Sequence, residues 1–182
     1  MFTQNMGETP IKLGGILLAL VLIPGLPPKS EVAYAAENIV QQEAQKSQEE
    51  ILSEATTLND DDLVAVLKIA GFTGTNLREA WAISKAESNG RPLAFNGNIK
   101  TGDNSYGIFQ INMLGILGQD RLDKFNLEKK TDLFNPVESA KIAFYMSQGG
   151  RDWSSWSTYG KSRYRDAYAE YAELYLNKKA KK

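Results

Sequence analysis

The 182-residue chain contains no cysteine and no histidine. These absences exclude disulfides, thiol nucleophiles, Ser-His-Asp triads and ordinary zinc sites. Acid–base chemistry near neutral pH therefore falls to carboxylates, lysine or tyrosine, and a carboxylate performs it only with a shifted pKa. The sequence also lacks a P-loop, a dinucleotide-binding glycine pattern and a calcium-binding loop. We therefore expect neither a metal nor an organic cofactor.

No block of basic residues occurs before the C-terminal tail. The formal net charge is −1, and the basic patch that a nucleic-acid-binding protein needs is missing. The exception is the basic tail, residues 178–182, which is either a solvated terminus or an attachment to an anionic wall or membrane. We expect no nucleic-acid partner.

The N-terminal residues 1–36 have the composition of a signal peptide or a membrane anchor. Residues 13–26 are apolar and uncharged, but they are fewer than the roughly 20 that span a bilayer. Ala33-Tyr34-Ala35 fits the small-x-small pattern of a cleavage site, although Glu8 offsets Lys12 and the site lies far from the apolar core. Three interpretations stay open: an exported and cleaved chain, an uncleaved membrane anchor, and a buried helix.

A change of composition marks where the folded part begins. Residues 37–57 are rich in Gln and Glu and have few apolar positions, which predicts a spacer, helical in part, rather than a packed element. Residues 58–177 are predicted to form the catalytic domain. Its first helix begins at Asn59 or Asp60, either of which can act as the N-cap.

Three further helices are predicted from capping signals and periodicity. The second begins with Asn76 and Glu79 at capping-box spacing and continues to Glu87. The third begins at Asn135-Pro136-Val137-Glu138, with proline at the first helical position. The last carries a tyrosine stripe that predicts a core-facing seam rather than a ligand site. The stripe consists of Tyr164, Tyr168, Tyr171 and Tyr175.

The stretch between the second and third helices has a different character. Residues 91–107 are rich in Gly, Asn, Asp and Pro, which predicts turns and a short hairpin. We therefore expect a mainly α (α+β) fold, in which a helical lobe carries one small irregular or β-hairpin lobe.

Glu87 is the strongest candidate for acid–base chemistry. It shares a helix face with Ala80 and Ser84, so its carboxyl comes from the buried side of the helix. It also lies in the last turn, where the helix dipole presents negative charge. Both features disfavour the anion and raise the pKa, as a general acid for a glycosidic oxygen requires. The alternative is that Glu87 only accepts hydrogen bonds from loop N–H groups.

Three segments resemble the lysozyme superfamily, which includes animal-type and goose-type lysozymes, bacterial lytic transglycosylases and phage lysozyme-like domains. They are AESNG (residues 86–90), SYGIFQINM (105–113) and NPVESAKIAFYMSQGGRDWSSW (135–156). The likeness extends over residues 58–160. It implies a lysozyme-like fold with a glycan-binding cleft between the two lobes.

The resemblance also assigns roles to single residues. Glu87 would protonate the β-1,4 bond between N-acetylmuramic acid and N-acetylglucosamine in peptidoglycan, and Ser88 would support its loop. Gln110 and Asn112 would lie along the cleft floor. Alternation after Tyr106 agrees, because it places both amides on one side of the segment. Structural bonding to the loops is the alternative for both amides.

One position departs from the animal-type pattern. Those lysozymes carry an aspartate immediately before the Tyr-Gly pair, whereas here Ser105 precedes Tyr106. Asp103 is the nearest carboxylate. It would reach the anomeric carbon, activate a water, or only hold an Asx turn. If no second carboxylate acts, the reaction would be that of a lytic transglycosylase.

Aromatic residues recur at three-residue spacing near the end of the resemblance. Trp153 and Trp156 either fill the core or stack on sugars. Two interpretations stay open for Tyr159: it packs in the core, or it lies near the reacting sugar, where related transglycosylases place a tyrosine.

The sequence therefore predicts a peptidoglycan-cleaving glycosidase, either a lysozyme or a lytic transglycosylase. We expect a monomer that is exported or carried in a phage particle, with association of its N-terminus with a membrane as a further option. The alternatives are a catalytically inactive glycan-binding module and a helical scaffold. The predicted catalytic residues are Glu87 and Asp103, and the predicted substrate-binding residues are Ser88, Ser105, Tyr106, Gln110, Asn112 and Tyr159.

Overall fold

The structure, a computed structural model, describes residues 31–177. Six α-helices are present in this range: α1 (Glu31–Ser53), α2 (Asp60–Ile69), α3 (Gly74–Ser88), α4 (Gly115–Phe125), α5 (Pro136–Met146) and α6 (Ser162–Tyr171). Three short strands are β1 (Phe95–Asn96), β2 (Ser105–Tyr106) and β3 (Ile111–Asn112). Most of the predicted export segment and the whole basic tail lie outside the described residues.

Single helical turns complete the secondary structure. A 3₁₀ turn (Ile99–Thr101) follows β1, a second 3₁₀ turn (Lys130–Phe134) precedes α5, and a π-helical turn (Ala172–Leu176) extends α6. The mainly helical α+β fold predicted from the sequence is confirmed.

The contacts divide the chain into two units, residues 1–40 and 41–182. The described side chains of the first unit lie in the N-terminal part of α1 and are mostly exposed. In the second unit α1 ends with Leu52 buried, and Glu49 pairs with Lys141 of α5 at 2.5 Å. Among residues 31–177 we find no helix with both the length and the hydropathy of a transmembrane span.

The hydrophobic core lies among α2, α3, α5, α6 and the loops that join them. The rings of Phe72, Phe109 and Trp153 lie nearly parallel, with interplanar angles of 15° to 29°. Trp156 packs edge-on against Phe109 and Trp153. Because both tryptophans are buried, the core interpretation of this pair is the correct one.

Two predicted helix starts are confirmed. Asn59 and Asp62 form a reciprocal capping box at the start of α2. Asn135 accepts from the backbone N–H groups of Val137 and Glu138, and Pro136 occupies the first turn of α5.

The predicted capping box at Asn76 and Glu79 is wrong, because α3 begins two residues before Asn76. Asn76 donates instead to the carbonyl oxygen of Gly149 at 2.8 Å. Glu79 accepts from the indole N–H of Trp153 at 3.1 Å. Both side chains are therefore engaged in tertiary contacts rather than in local capping.

The tyrosine stripe of the last helix faces the core, as predicted. Tyr164 and Tyr171 are buried, while Tyr168 and Tyr175 pack against the core from its edge. The guanidinium of Arg78 in α3 lies 3.6 Å from the centroid of the Tyr168 ring and donates to its carbonyl oxygen. The stripe thus joins α6 to α3.

The β lobe is an antiparallel sheet in the order β1-β2-β3. The alternation predicted after Tyr106 is wrong, because Gly107 (φ +76°) and Gln110 (φ +47°) bend residues 107–110 into a tight turn. Ile108 and Phe109 are consequently both fully buried. We call residues 107–110 the buried turn.

Helix α4 was not predicted. Of its apolar side chains, Ile116 and Leu117 are exposed, and Leu122 and Phe125 pack partly on the core. Such a short and interrupted apolar pattern gives little helical periodicity to detect.

Gly107 offers a test of how tightly the buried turn is packed. A Cβ built at Gly107 would lie 2.1 Å from the carbonyl oxygen of Leu133, whereas one at Gly102 (φ +82°) would meet nothing within 4 Å. We expect Gly102→Ala to cost about 1 kcal/mol from backbone strain alone. Gly107→Ala should cost about 3 kcal/mol or more. Urea unfolding of both variants measures the difference, and equal losses would contradict the close contact.

Candidate active site

Glu87 lies in the last turn of α3, where the chain leaves the helical lobe. The helix ends at Ser88, and the C-cap residue Asn89 adopts a left-handed conformation (φ +58°). Ser84, one turn earlier, is fully buried, and Glu87 itself is half-buried. Helix periodicity therefore directs this carboxyl towards the protein rather than into open solvent, as the sequence predicted.

The pKa of the Glu87 carboxyl is raised above its ordinary value, mainly because burial disfavours the charged form. The Thr158 hydroxyl donates to Glu87 Oε1 at 2.6 Å and opposes this rise. The positive charges of Arg163 and Lys161 oppose it too, while the negative charge of Asp103 adds to it. Desolvation is the dominant cause, so the proton stays bound to a higher pH than on a free glutamate.

Ser88 and Ser105 are both buried. The Ser88 hydroxyl donates to the carbonyl oxygen of Ile108 at 2.8 Å and to that of Ser84 at 3.1 Å. It thus ties the end of α3 to the buried turn. Ser105 pairs within the sheet with Asn96 and Asn112. Neither serine is accessible to a ligand in this conformation.

The amides of Gln110 and Asn112 both bond to the protein itself. Gln110 Nε2 donates to the carbonyl oxygens of Ala94 and Gly107, each at 3.0 Å. Asn112 Nδ2 donates to the carbonyl oxygen of Gly102 at 2.7 Å. These bonds support the structural interpretation of the two amides.

Asn112 also uses its oxygen within the β lobe. Its Oδ1 accepts from the backbone N–H groups of Asn104 and Leu114 at 3.3 and 3.0 Å. The Asn112 amide therefore holds together the chain before β2 and the chain after β3.

Asp103 lies in the turn before β2, outside the strand itself. Its Oδ2 accepts from the Thr101 hydroxyl at 2.9 Å, and its backbone N–H donates to the carbonyl oxygen of Asn98. It is close enough to Glu87 to repel the charged form of that carboxyl. The β lobe therefore brings a second carboxylate into the electrostatic neighbourhood of Glu87.

The two tyrosines predicted to bind substrate differ in accessibility. The Tyr106 hydroxyl donates to Asn104 Oδ1, and its ring packs against Phe95 and Phe134. Tyr159 is 45% exposed, and its ring lies 5.0 Å from that of Tyr164. Burial raises the pKa of Tyr159. Of these two tyrosines, Tyr159 is the more exposed, and it directly follows Thr158, which bonds to Glu87.

Three residues that influence the Glu87 carboxyl carry no signal in the sequence: Thr158, Lys161 and Arg163. Thr158 is 71 positions away along the chain, and Lys161 and Arg163 follow it at the start of α6. Only the fold brings this segment to the end of α3, so no local motif marked these residues. In the described part of the chain neither cation forms an ion pair.

The described residues contain no group of acidic side chains that could hold a metal ion. A cavity of about 1130 Å³ lies near α5, and Glu87 is not among the residues that line it. Glu87 therefore does not belong to that cavity; its carboxyl is half-buried and hydrogen-bonded to Thr158.

The sequence was compared with models of known protein families. The sequence model of one family, described as a lysozyme-like domain, matches residues 64–158, just over half of the chain. The chain belongs to the lysozyme-like domain family. No curated protein and no solved structure matches the chain significantly.

The matched part of this lysozyme-like domain contains the core of the candidate site. Glu87, Asp103 and Thr158 lie inside residues 64–158, and Tyr159 lies immediately after them. Lys161 and the whole of α6, which includes Arg163, also follow the match. Membership in the family relates the chain to peptidoglycan-cleaving glycosidases and transglycosylases.

The raised pKa of Glu87 predicts a pH-dependent effect on stability. The folded protein binds this proton more tightly than the unfolded chain, so Glu87 loses stabilising free energy as the pH rises from about 4.3 through the folded pKa. Glu87→Gln removes the titration. We therefore expect the difference in unfolding free energy between Glu87→Gln and the native protein to move in favour of the variant as the pH rises from about 4 to about 8. Thermal unfolding at both pH values measures this, and a constant difference would contradict it.

Proposed function

We propose that this protein cleaves peptidoglycan glycan strands and that Glu87 is the general acid. The observation that carries the proposal is a half-buried carboxyl with a raised pKa at the end of α3, hydrogen-bonded to Thr158. A proton held in this way is available to a glycosidic oxygen at a pH where an exposed glutamate is ionised. Membership in the lysozyme-like domain family supports the choice of substrate.

In the proposed reaction Glu87 transfers its proton to the glycosidic oxygen while the C1–O bond breaks. The bonding electrons stay with that oxygen, and the sugar carbon acquires oxocarbenium character. Glu87 is then a carboxylate and takes a proton from the hydroxyl group that attacks C1. Attack by water gives a reducing end, and attack by the sugar's own C6 hydroxyl gives a 1,6-anhydro ring.

The surroundings of Glu87 suit both halves of this cycle. Burial and the charge of Asp103 favour the protonated form before bond cleavage. The Thr158 hydroxyl, Lys161 and Arg163 favour the carboxylate that forms afterwards. A pKa between these opposing influences lets one residue act first as acid and then as base.

We assign Asp103 a tuning role rather than a nucleophilic one. The position before Tyr106, where animal-type lysozymes carry an aspartate, holds the buried Ser105. Asp103 lies in the preceding turn and is hydrogen-bonded to Thr101. With no carboxylate on the strand, a single-glutamate reaction that ends in the anhydro ring is favoured. Mass spectrometry of digested peptidoglycan distinguishes anhydro ends from reducing ends.

We place the site of action at the cell wall, which a chain with an export segment in residues 1–36, or one carried in a phage particle, would reach. Residues 37–57 would then connect that segment to a catalytic domain acting as a monomer. A catalytically inactive glycan-binding module is the second candidate, and Ser105 in place of the aspartate is the observation that favours it.

Glu87→Gln tests the proposed acid directly. The variant keeps the size and the hydrogen-bond acceptor of the side chain but has no transferable proton. We expect muropeptide release to fall at least about 100-fold. Glu128→Gln, which alters an exposed carboxyl in the loop after α4, is the matched control and should stay active. Wall binding by the native protein without any turnover would support the inactive module instead.

Asp103→Asn separates tuning from direct participation. Without the negative charge the pKa of Glu87 falls, so we expect the alkaline limb of the pH–activity profile to move to lower pH while activity at acidic pH is retained. A loss of about 100-fold or more across all pH values would show that Asp103 takes part in the reaction itself.

Thr158→Val should shift the pH–activity profile in the opposite direction to Asp103→Asn. Removing the hydroxyl that favours the ionised Glu87 raises the pKa of that carboxyl, so the alkaline limb should move to higher pH. Shifts of both variants in the same direction would contradict this description of the site.

A further inference from the structure

A second surface feature lies apart from Glu87. The cavity of about 1130 Å³ near α5 includes the side chains of Lys124, Lys141 and Arg151 in its wall. Of the described residues that line it, none is an aspartate or a glutamate. In a chain with a formal net charge of −1, this is a marked local excess of positive charge. We call it the basic groove.

Most of this charge is not neutralised by the protein. Lys141 pairs with Glu49 at the end of α1. Within residues 31–177, Lys124 and Arg151 have no carboxylate partner. The Lys124 ammonium lies 4.7 Å from the centroid of the Tyr145 ring, a cation–π contact that keeps it at the wall of the groove. The groove therefore presents at least two unneutralised cations to an anionic ligand.

The remaining lining indicates which anion fits. Phe144, Met146 and the 59%-exposed Tyr145 contribute apolar surface, and Gln148 contributes an amide. A peptide with carboxylates and small apolar side chains can use all three kinds of surface. A phosphodiester polymer would use the cations but leave the apolar surface without a partner. The lining thus favours an acidic peptide.

The groove is within reach of the proposed catalytic residue. Ser155 lines it, and Thr158, which contacts Glu87, follows three residues later. Three residues of chain span at most about 11 Å, and a four-residue peptide spans at most about 14 Å. We propose that the basic groove binds acidic peptides, and that its occupants are the carboxylate-bearing peptide stems attached to the glycan strands. The second part rests on the proposed function.

Titration with a peptide tests the groove without catalysis. Acetyl-Ala-Glu-Ala-Ala should shift the NMR signals of Lys124, Tyr145 and Arg151 in the full-length Glu87→Gln variant. The uncharged acetyl-Ala-Gln-Ala-Ala-amide should not shift them. Removal of two cations by Lys124→Gln/Arg151→Gln should weaken binding about 10-fold. The control Lys46→Gln/Lys68→Gln, with two exposed lysines outside the groove, should leave it unchanged.

The proposal would be overturned by no NMR shifts in the groove, by equal binding of the uncharged peptide, or by equal weakening of binding in both double variants. Tighter, competing binding of polyglycerol phosphate would also overturn it, in favour of a phosphodiester ligand. Matching thermal unfolding of the two double variants shows that neither result reflects misfolding.

Kinetics on two substrates tests the peptide stems. Lys124→Gln/Arg151→Gln should raise KM for strands that carry peptides, leave kcat unchanged, and have no effect on strands stripped by an amidase. An equal change on both substrates would overturn the assignment of the stems. If the native protein cleaves neither substrate, the proposed function and the stem assignment fail, whereas the peptide titration still decides whether the groove binds acidic peptides.

Discussion

The buried turn at residues 107–110 is the constraint on which the rest of the site depends. The Ser88 hydroxyl bonds to its Ile108 carbonyl, and the Trp156 indole bonds to its Phe109 carbonyl. One end of α3, the β lobe and the segment that leads to Thr158 are therefore fastened to the same four residues. A buried carbonyl group left without a hydrogen-bond partner destabilises the protein. Separation of these three parts would therefore cost free energy. The backbone positions around Glu87 are thus fixed by the core.

The pKa of the Glu87 carboxyl is governed by several influences of unequal strength. Burial acts through the fixed packing of α3 and dominates, while charges on Asp103, Lys161 and Arg163 adjust the result through partly exposed side chains. Desolvation cannot be removed without disturbing the core, whereas charges near the surface are weakened by salt. The protein therefore combines a structural determinant of acidity with adjustable electrostatic ones.

Local signals in the sequence were sufficient for much of the fold. The cap at Asn59 and the Asn-Pro start of α5 act within one helical turn, so they could be recognised without knowledge of the tertiary structure. The position of Glu87 on the buried helix face followed from periodicity in the same way. Errors arose where distant contacts prevailed. Asn76 bonds to Gly149 instead of capping α3. The positive φ angles of the buried turn replace strand alternation, and Thr158 reaches Glu87 only through the completed fold.

Lys161 and Arg163 stand at the entrance of α6, beyond the part of the chain that the family shares. Both side chains are exposed, and replacement of such residues usually alters stability by less than about 0.5 kcal/mol. Replacement of either residue by a neutral one would therefore raise the pKa of Glu87 without disturbing the core. In this chain the pH range over which Glu87 holds its proton can therefore be reset at two surface positions, and the packing around the end of α3 stays as it is.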